Sequence, residues 1–136
     1  MRLIDTHNHL DCADFAQDRA AVLQRSRARG VERQVLLGVF RENWEDVWAL
    51  VEQEPDLYAA LGLHPIYLAR HRPEHLQALR AWLERLAGHP KLCAVGEIGL
   101  DYYLEDLDRD GQQAIFEEQL RIAIDFELPV LLHVRR

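Results

Sequence analysis

LCAVGEIGL, residues 92–100, carries an apolar side chain or a glycine at every position except Glu97. A strand with one face in water alternates apolar and polar residues, whereas a run apolar throughout is buried on both faces, as in a parallel sheet covered by helices. Outward from this run the same text repeats: RLIDTH (2–7), RQVLLGV (33–39) and LYAALGLH (57–64) before it, PVLLHV (129–134) after it. Amphipathic segments fill the intervals and predict helices over 14–29, 42–54, 73–87 and 111–127. Asp14 stands where a cap is needed and Gly30 where the first helix must stop. Trp44 and Trp48 share a face of the second at i, i+4, and Pro55 ends it. Pro73 opens the third, in which Leu76, Leu79, Leu83 and Leu86 recur at helical spacing before Gly88 and Pro90.

The order is therefore β-α-β-α-β-α-β-α-β, an α/β chain with a parallel sheet and no linker or second domain. Two architectures accommodate it. One is a (β/α)8 TIM-barrel type, truncated to about five strands and four helices, since a complete barrel takes about 250 residues. The other is an open five-stranded doubly wound domain. On the first reading, residues 1–136 are a single partial domain, the N-terminal half of a barrel.

Composition narrows the function classes. At 136 residues, 49% hydrophobic and 29% charged, the chain reads as globular. No apolar run approaches the roughly 20 residues that span a bilayer, so no membrane role is expected. MRLIDTHNHLD lacks the uninterrupted apolar stretch of a signal peptide. Cys12 and Cys93 are too few for a disulfide framework, and the cytoplasm is the expected location. The net charge of −7 argues against a general electrostatic grip on nucleic acid. A polyanionic substrate would need local cations, either bound metal or a few placed arginines, and an acidic balance suits a site that concentrates divalent cations.

Polar residues interrupt the strands near their C-terminal ends: His7 and His9 after the first, His64 after the third, Glu97 in the fourth, His133 in the fifth. In parallel α/β proteins those ends open onto one face, where active sites are built. His7 and His9 lie two apart in extended backbone, so their side chains point the same way and can share one ion. Imidazole and carboxylate together suit zinc and related divalent metals. Asp5, two residues earlier, is placed to orient an imidazole from behind. Glycines on both sides of Glu97 allow sharp bending and close approach. Asp101 reads as a cap for the following segment, Arg135 as a bidentate holder of phosphate or carboxylate, and His64 as a substrate contact or a residue packed beneath Pro65. Trp44, Trp48 and Trp82 read as packing residues, His71, His75 and His89 as surface, and Cys12 as a buried thiol. No phosphate loop, serine elbow or C-x-x-C is present.

Taken together, DTHNHLD (5–11), GLHP (62–65), GEIGLDYY (96–103), the Gln112 to Gln119 stretch of QQAIFEEQL and PVLLHVR (129–135) resemble the TatD-family metal-dependent deoxyribonucleases, amidohydrolase-like TIM barrels. The resemblance runs along the whole chain. It implies two divalent metal ions (Mg, Zn or Mn) and hydrolysis of phosphodiester bonds with DNA as substrate. His7 and His9 would hold the first ion, Glu97 would bridge and His133 would hold the second, with His64 and Arg135 orienting the phosphate. The family's further histidine and late aspartate ligands would lie beyond Arg136, so this chain is expected to hold four ligands. The runner-up is an amide or ester hydrolase of the same superfamily, in which a carboxylated lysine often bridges. Glu97 stands at that strand end and no lysine does, which favours the nuclease. A non-catalytic fragment is the third reading.

Overall fold

The computed structural model describes all 136 residues. Its strands are β1 (Leu3–Asn8), β2 (Val31–Leu37), β3 (Leu57–Leu61), β4 (Leu92–Asp101) and β5 (Val130–Arg135). All neighbours pair in parallel and the spatial order β1-β2-β3-β4-β5 equals the chain order. Helices α1 (Arg19–Ala28), α2 (Trp44–Gln53), α3 (Pro73–Arg85) and α4 (Arg109–Asp125) fill the crossovers. Right-handed crossovers between successive neighbours lay every helix on the same side of the sheet. A doubly wound sheet must reverse its strand order to cover both faces, so that alternative is excluded and the chain is a truncated TIM-barrel type.

The core has the matching asymmetry. One cluster of 19 buried residues joins the helix-facing sides of β2, β3 and β4 to residues from all four helices, among them Leu23, Trp44, Leu83 and Ile122. The other face of the sheet contributes a separate cluster of four, Val35, Leu37, Ala60 and Ala94. The three tryptophans all pack inside, as expected.

Three expectations need correction. The first helix begins at Arg19 rather than residue 14; Ala13–Phe15 form one 3₁₀ turn instead, and Asp14 caps nothing. The loop before α1 is held from the helix side, by Arg19 donating to the carbonyls of Leu10, Asp11 and Cys12. Gly30 does end the helix, at φ +89°. Cys12 is exposed rather than buried. Finally, burial on both faces holds for β2, β3 and β4 but not for the edge strands: Ile4, Leu132 and Val134 are 60%, 51% and 76% exposed. Open strand edges flanked by apolar side chains template association. The 136-residue chain is therefore expected to self-associate with rising concentration, and Val134→Lys with Ile4→Lys to shift it towards monomer. Light scattering that shows no difference between the two chains would refute this. No helix is long and apolar enough to cross a membrane.

Helix α4 fastens the strand ends. Gln112 and Gln119, seven residues apart and so on one face, are both buried. Gln119 accepts from the Leu63 N–H (2.7 Å) and donates to the Leu63 carbonyl (3.1 Å). Gln112 does the same at Asp101, at 2.7 and 2.9 Å. Each amide thus satisfies a donor and an acceptor just where a strand leaves the ladder. Gln119→Leu should cost about 2–6 kcal/mol, because two buried backbone groups lose their partners at about 1–3 kcal/mol each. Chemical denaturation measures it, and a loss under 1 kcal/mol (about the floor of one such group) would count against the assignment.

Candidate metal centre

Glu97 is 3% exposed, and its two oxygens face two sets of imidazoles. Oε2 lies 2.9 Å from His7 Nε2 and 3.2 Å from His9 Nε2. Oε1 lies 3.0 Å from His133 Nδ1 and 3.2 Å from His64 Nε2. Four histidines delivered by β1, β5 and the segments following β1 and β3 thus meet one carboxylate from β4. His7, His9 and Glu97 form one group of donor atoms within 4.8 Å of one another, and His64, Glu97 and His133 form another.

Local backbone makes this possible. Gly99 pairs in register with His133 and has φ +145°. A Cβ there would sit 2.0 Å from the His133 carbonyl oxygen, so only glycine lets β5 come close enough to bring His133 onto Glu97.

The hydrogen-bond inventory tests whether a metal fits. His9 Nδ1 faces the Leu37 carbonyl at 3.3 Å, and a carbonyl only accepts, so Nδ1 carries a proton and Nε2 turns its lone pair towards Glu97. His133 lies between two carboxylates, Nδ1 on Glu97 and Nε2 on Asp101 Oδ2 at 2.9 Å. A neutral imidazole has one N–H for two acceptors, so in both cases a further positive charge is called for. A divalent cation at Glu97 would supply it, with the outer nitrogen donating to a carbonyl or carboxylate as metal-bound histidines usually do. At zinc bond lengths of about 2.0–2.1 Å, neighbouring donors lie about 3.3 Å apart, close to the separations seen here. His64 differs. Its Nδ1 accepts from the Ile66 N–H at 3.1 Å, so Nε2 holds the proton and is a donor rather than a ligand.

Burial acts to raise the Glu97 carboxyl, but its contacts with His64 and His9 outweigh that and hold the group well below the usual range. The same contact with Glu97 raises His9. Burial likewise works against ionised Asp101, and contacts with His133 and Arg135 overcome it.

Asp5 does not touch an imidazole; it accepts from the His7 backbone N–H (3.1 Å) and from Asn8 Nδ2 (2.9 Å), so it fixes the end of β1 and not the ring. Arg135 is less free than expected: its Nε lies 2.9 Å from Asp101 Oδ2 and its guanidinium 4.5 Å from the Tyr103 ring centre. Asp101 is more than a cap. It does accept from the backbone of Tyr103 and Leu104, but it is fully buried and also holds His133 and Arg135. The sequence carried a signal for this, since positions 97, 99 and 101 share one face of an extended strand.

His71, expected at the surface, is buried and donates from Nε2 to the His64 carbonyl at 2.7 Å, backing the turn that aims His64. Burial lowers its pKa below the usual 6.5. The unfolded chain then takes up a proton as pH falls through 6.5 while the folded chain does not. Stability is unaffected above that range and falls below it, by at most about 1.4 kcal/mol per pH unit until the folded group titrates. His71→Asn should flatten this slope between pH 7 and 5 in thermal melts; an unchanged slope would refute the assignment.

The sequence profile of the family described as TatD related DNase matches residues 4–136. An Escherichia coli protein described as the uncharacterized metal-dependent hydrolase YjjV is 44% identical over 135 residues, which is 99% of this chain and 51% of that protein. The 3'-5' ssDNA/RNA exonuclease TatD of Erwinia tasmaniensis is 34% identical over 134 residues, 98% of this chain and 50% of its own length. The crystal structure of YjjV superimposes with a TM-score of 0.94 over 99% of this chain and 51% of that one. A TatD family hydrolase of Entamoeba histolytica shares the fold at a TM-score of 0.86 and 21% identity, covering 100% of this chain and 50% of its own. The chain spans about half the length of the relatives it matches. With the Glu97 cluster at the strand ends and a family profile that covers nearly every residue, this chain belongs to the TatD related DNase family, a family of metal-dependent hydrolases.

Proposed function

We propose that these residues form the N-terminal half of one (β/α)-barrel domain, carrying most of a two-metal centre of a cytoplasmic nuclease that hydrolyses phosphodiester bonds in DNA. The observation that carries the reading is that Glu97 offers one oxygen to His7 and His9 and the other to His133. His7, His9 and Glu97 would hold one ion, and Glu97 with His133 the second. Divalent ions held there supply an activated water and neutralise charge on the phosphoryl group.

The chain's own residues do the positioning. Leu37 fixes the His9 ring, and Asp101 fixes the His133 ring so that Nδ1 faces Glu97. His64 holds its proton on Nε2, towards Glu97 Oε1, and would turn it to a phosphate oxygen where an ion takes up that carboxylate oxygen. Arg135, tethered through Nε, keeps its terminal nitrogens for the same phosphate. The E. tasmaniensis relative is named for single-stranded DNA and RNA, which supports an unpaired strand end as substrate.

End-labelled single-stranded DNA incubated with Mn²⁺ should be degraded, and excess chelator should abolish degradation reversibly. Turnover of a cyclic amide or lactone without any on DNA would overturn the reading in favour of the amide and ester hydrolases.

A further inference from the structure

Beside the Glu97 cluster lies a cleft of about 190 Å³ formed by the segments that follow β1, β2 and β3. Its walls are Cys12, Val39, Ile66 and Tyr67, and it shares His9 and His64 with the cluster. We propose that this cleft is a nucleobase subsite, taking one unpaired base of the nucleotide whose phosphate lies at Glu97. The proposal rests on the phosphodiesterase reading above.

Size limits the occupant. Pockets for drug-sized ligands begin at roughly 300 Å³, and at about 190 Å³ this cleft has room for a single ring system. Chemistry limits it further. The wall is apolar and aromatic, and the Tyr67 ring is fixed by edge contacts to Phe40 (centres 5.0 Å, planes at 78°) and to His64 (5.9 Å, 67°). Phe40 is in turn covered by the Arg70 guanidinium, 3.7 Å from its centre. A tyrosine locked in this way presents a stacking surface without first being ordered, as platforms for unpaired bases do.

Charge then assigns the two ends of the nucleotide. Asp11 lines the cleft, and the adjoining depression continues with Asp14, Glu42 and Asp46. A phosphate would be repelled there and a neutral base would not. On the far side of Glu97 stand His133 and Arg135, from β5. The phosphate thus belongs at the cluster and towards β5, and the base towards β1 to β3. A base inside a duplex cannot enter without being flipped out at a cost, so the subsite favours single strands and frayed ends.

The test is calorimetric binding of dAMP and of 2-deoxyribose 5-phosphate to the Mn²⁺-supplied chain, with wild type, Tyr67→Ala and Tyr67→Phe. dAMP should bind about ten- to a hundredfold more tightly than the sugar phosphate, the contribution of one stacked base. Tyr67→Ala should erase that difference, and Tyr67→Phe should retain it. Equal affinities in wild type, or a preference that survives Tyr67→Ala, would overturn the subsite alone. If neither ligand binds in the presence of metal, the phosphodiesterase reading falls and the subsite with it.

Discussion

Glu97→Gln is expected to lose the thermal stabilisation that added Zn²⁺ or Mn²⁺ gives the wild-type chain. A ligand that binds only the folded state stabilises it by about 2.7 kcal/mol at a hundred times its dissociation constant, which for a domain of this size is a rise of several degrees. Glutamine keeps the shape of Glu97 but offers one oxygen and one NH₂ where the carboxylate offers two oxygens. One histidine set therefore faces a donor instead of an acceptor, and the charge that balances a divalent ion is gone. Affinity should fall at least about 100-fold, beyond the effect of removing an outer partner, and phosphodiester hydrolysis should fall with it. Differential scanning fluorimetry across a metal titration reads the first quantity. A shift in Glu97→Gln equal to that of wild type would show that metal does not bind through this carboxylate.

Asp101→Asn should have the next largest effect, and it separates metal affinity from structure. Asp101 Oδ2 faces both His133 Nε2 and Arg135 Nε, each at 2.9 Å, while Oδ1 accepts from the Tyr103 and Leu104 backbone. Asparagine can still accept from that backbone with its carbonyl oxygen, but it presents no charge to His133. The ring is then a weaker base and less firmly oriented, and affinity for the more weakly held ion should fall about 10–100-fold. Asp101→Ala removes the acceptor as well and leaves groups unpaired around a buried site. It should cost a further 2–3 kcal/mol or so, below the about 3–5 kcal/mol for breaking a fully buried ion pair, because Arg135 remains half in solvent. Isothermal titration with Mn²⁺ and urea denaturation measure the two quantities. If Asp101→Asn binds metal as wild type does, Asp101 is a structural cap and nothing more.

Both substitutions act through a residue whose role the amino-acid sequence shows unevenly. Glu97 stands out in the text as the one charged residue in an apolar run between glycines. Asp101 reads as a turn residue until β4 is known to extend as far as it and to pair in register with Arg135. His71 gives no textual sign of burial, because it follows an irregular 3₁₀ stretch, Pro65–Arg70, with no periodicity to read. The buried glutamines of α4 are visible as a motif, but polar residues on a helix normally face water. Their function depends on two strand ends that lie 56 and 11 residues away in the chain.

The sequence by itself determined the element types and their alternation, because apolar runs and helical spacing are local properties of the chain. It also determined which residue types stand at the strand ends. Only the tertiary structure decided the strand order, and with it the barrel type, since nothing in a β-α-β pattern states which strands become neighbours. It alone also set the proton positions that separate His9 and His133 from His64, which depend on what each second ring nitrogen meets across space: Leu37, Asp101 and the Ile66 N–H.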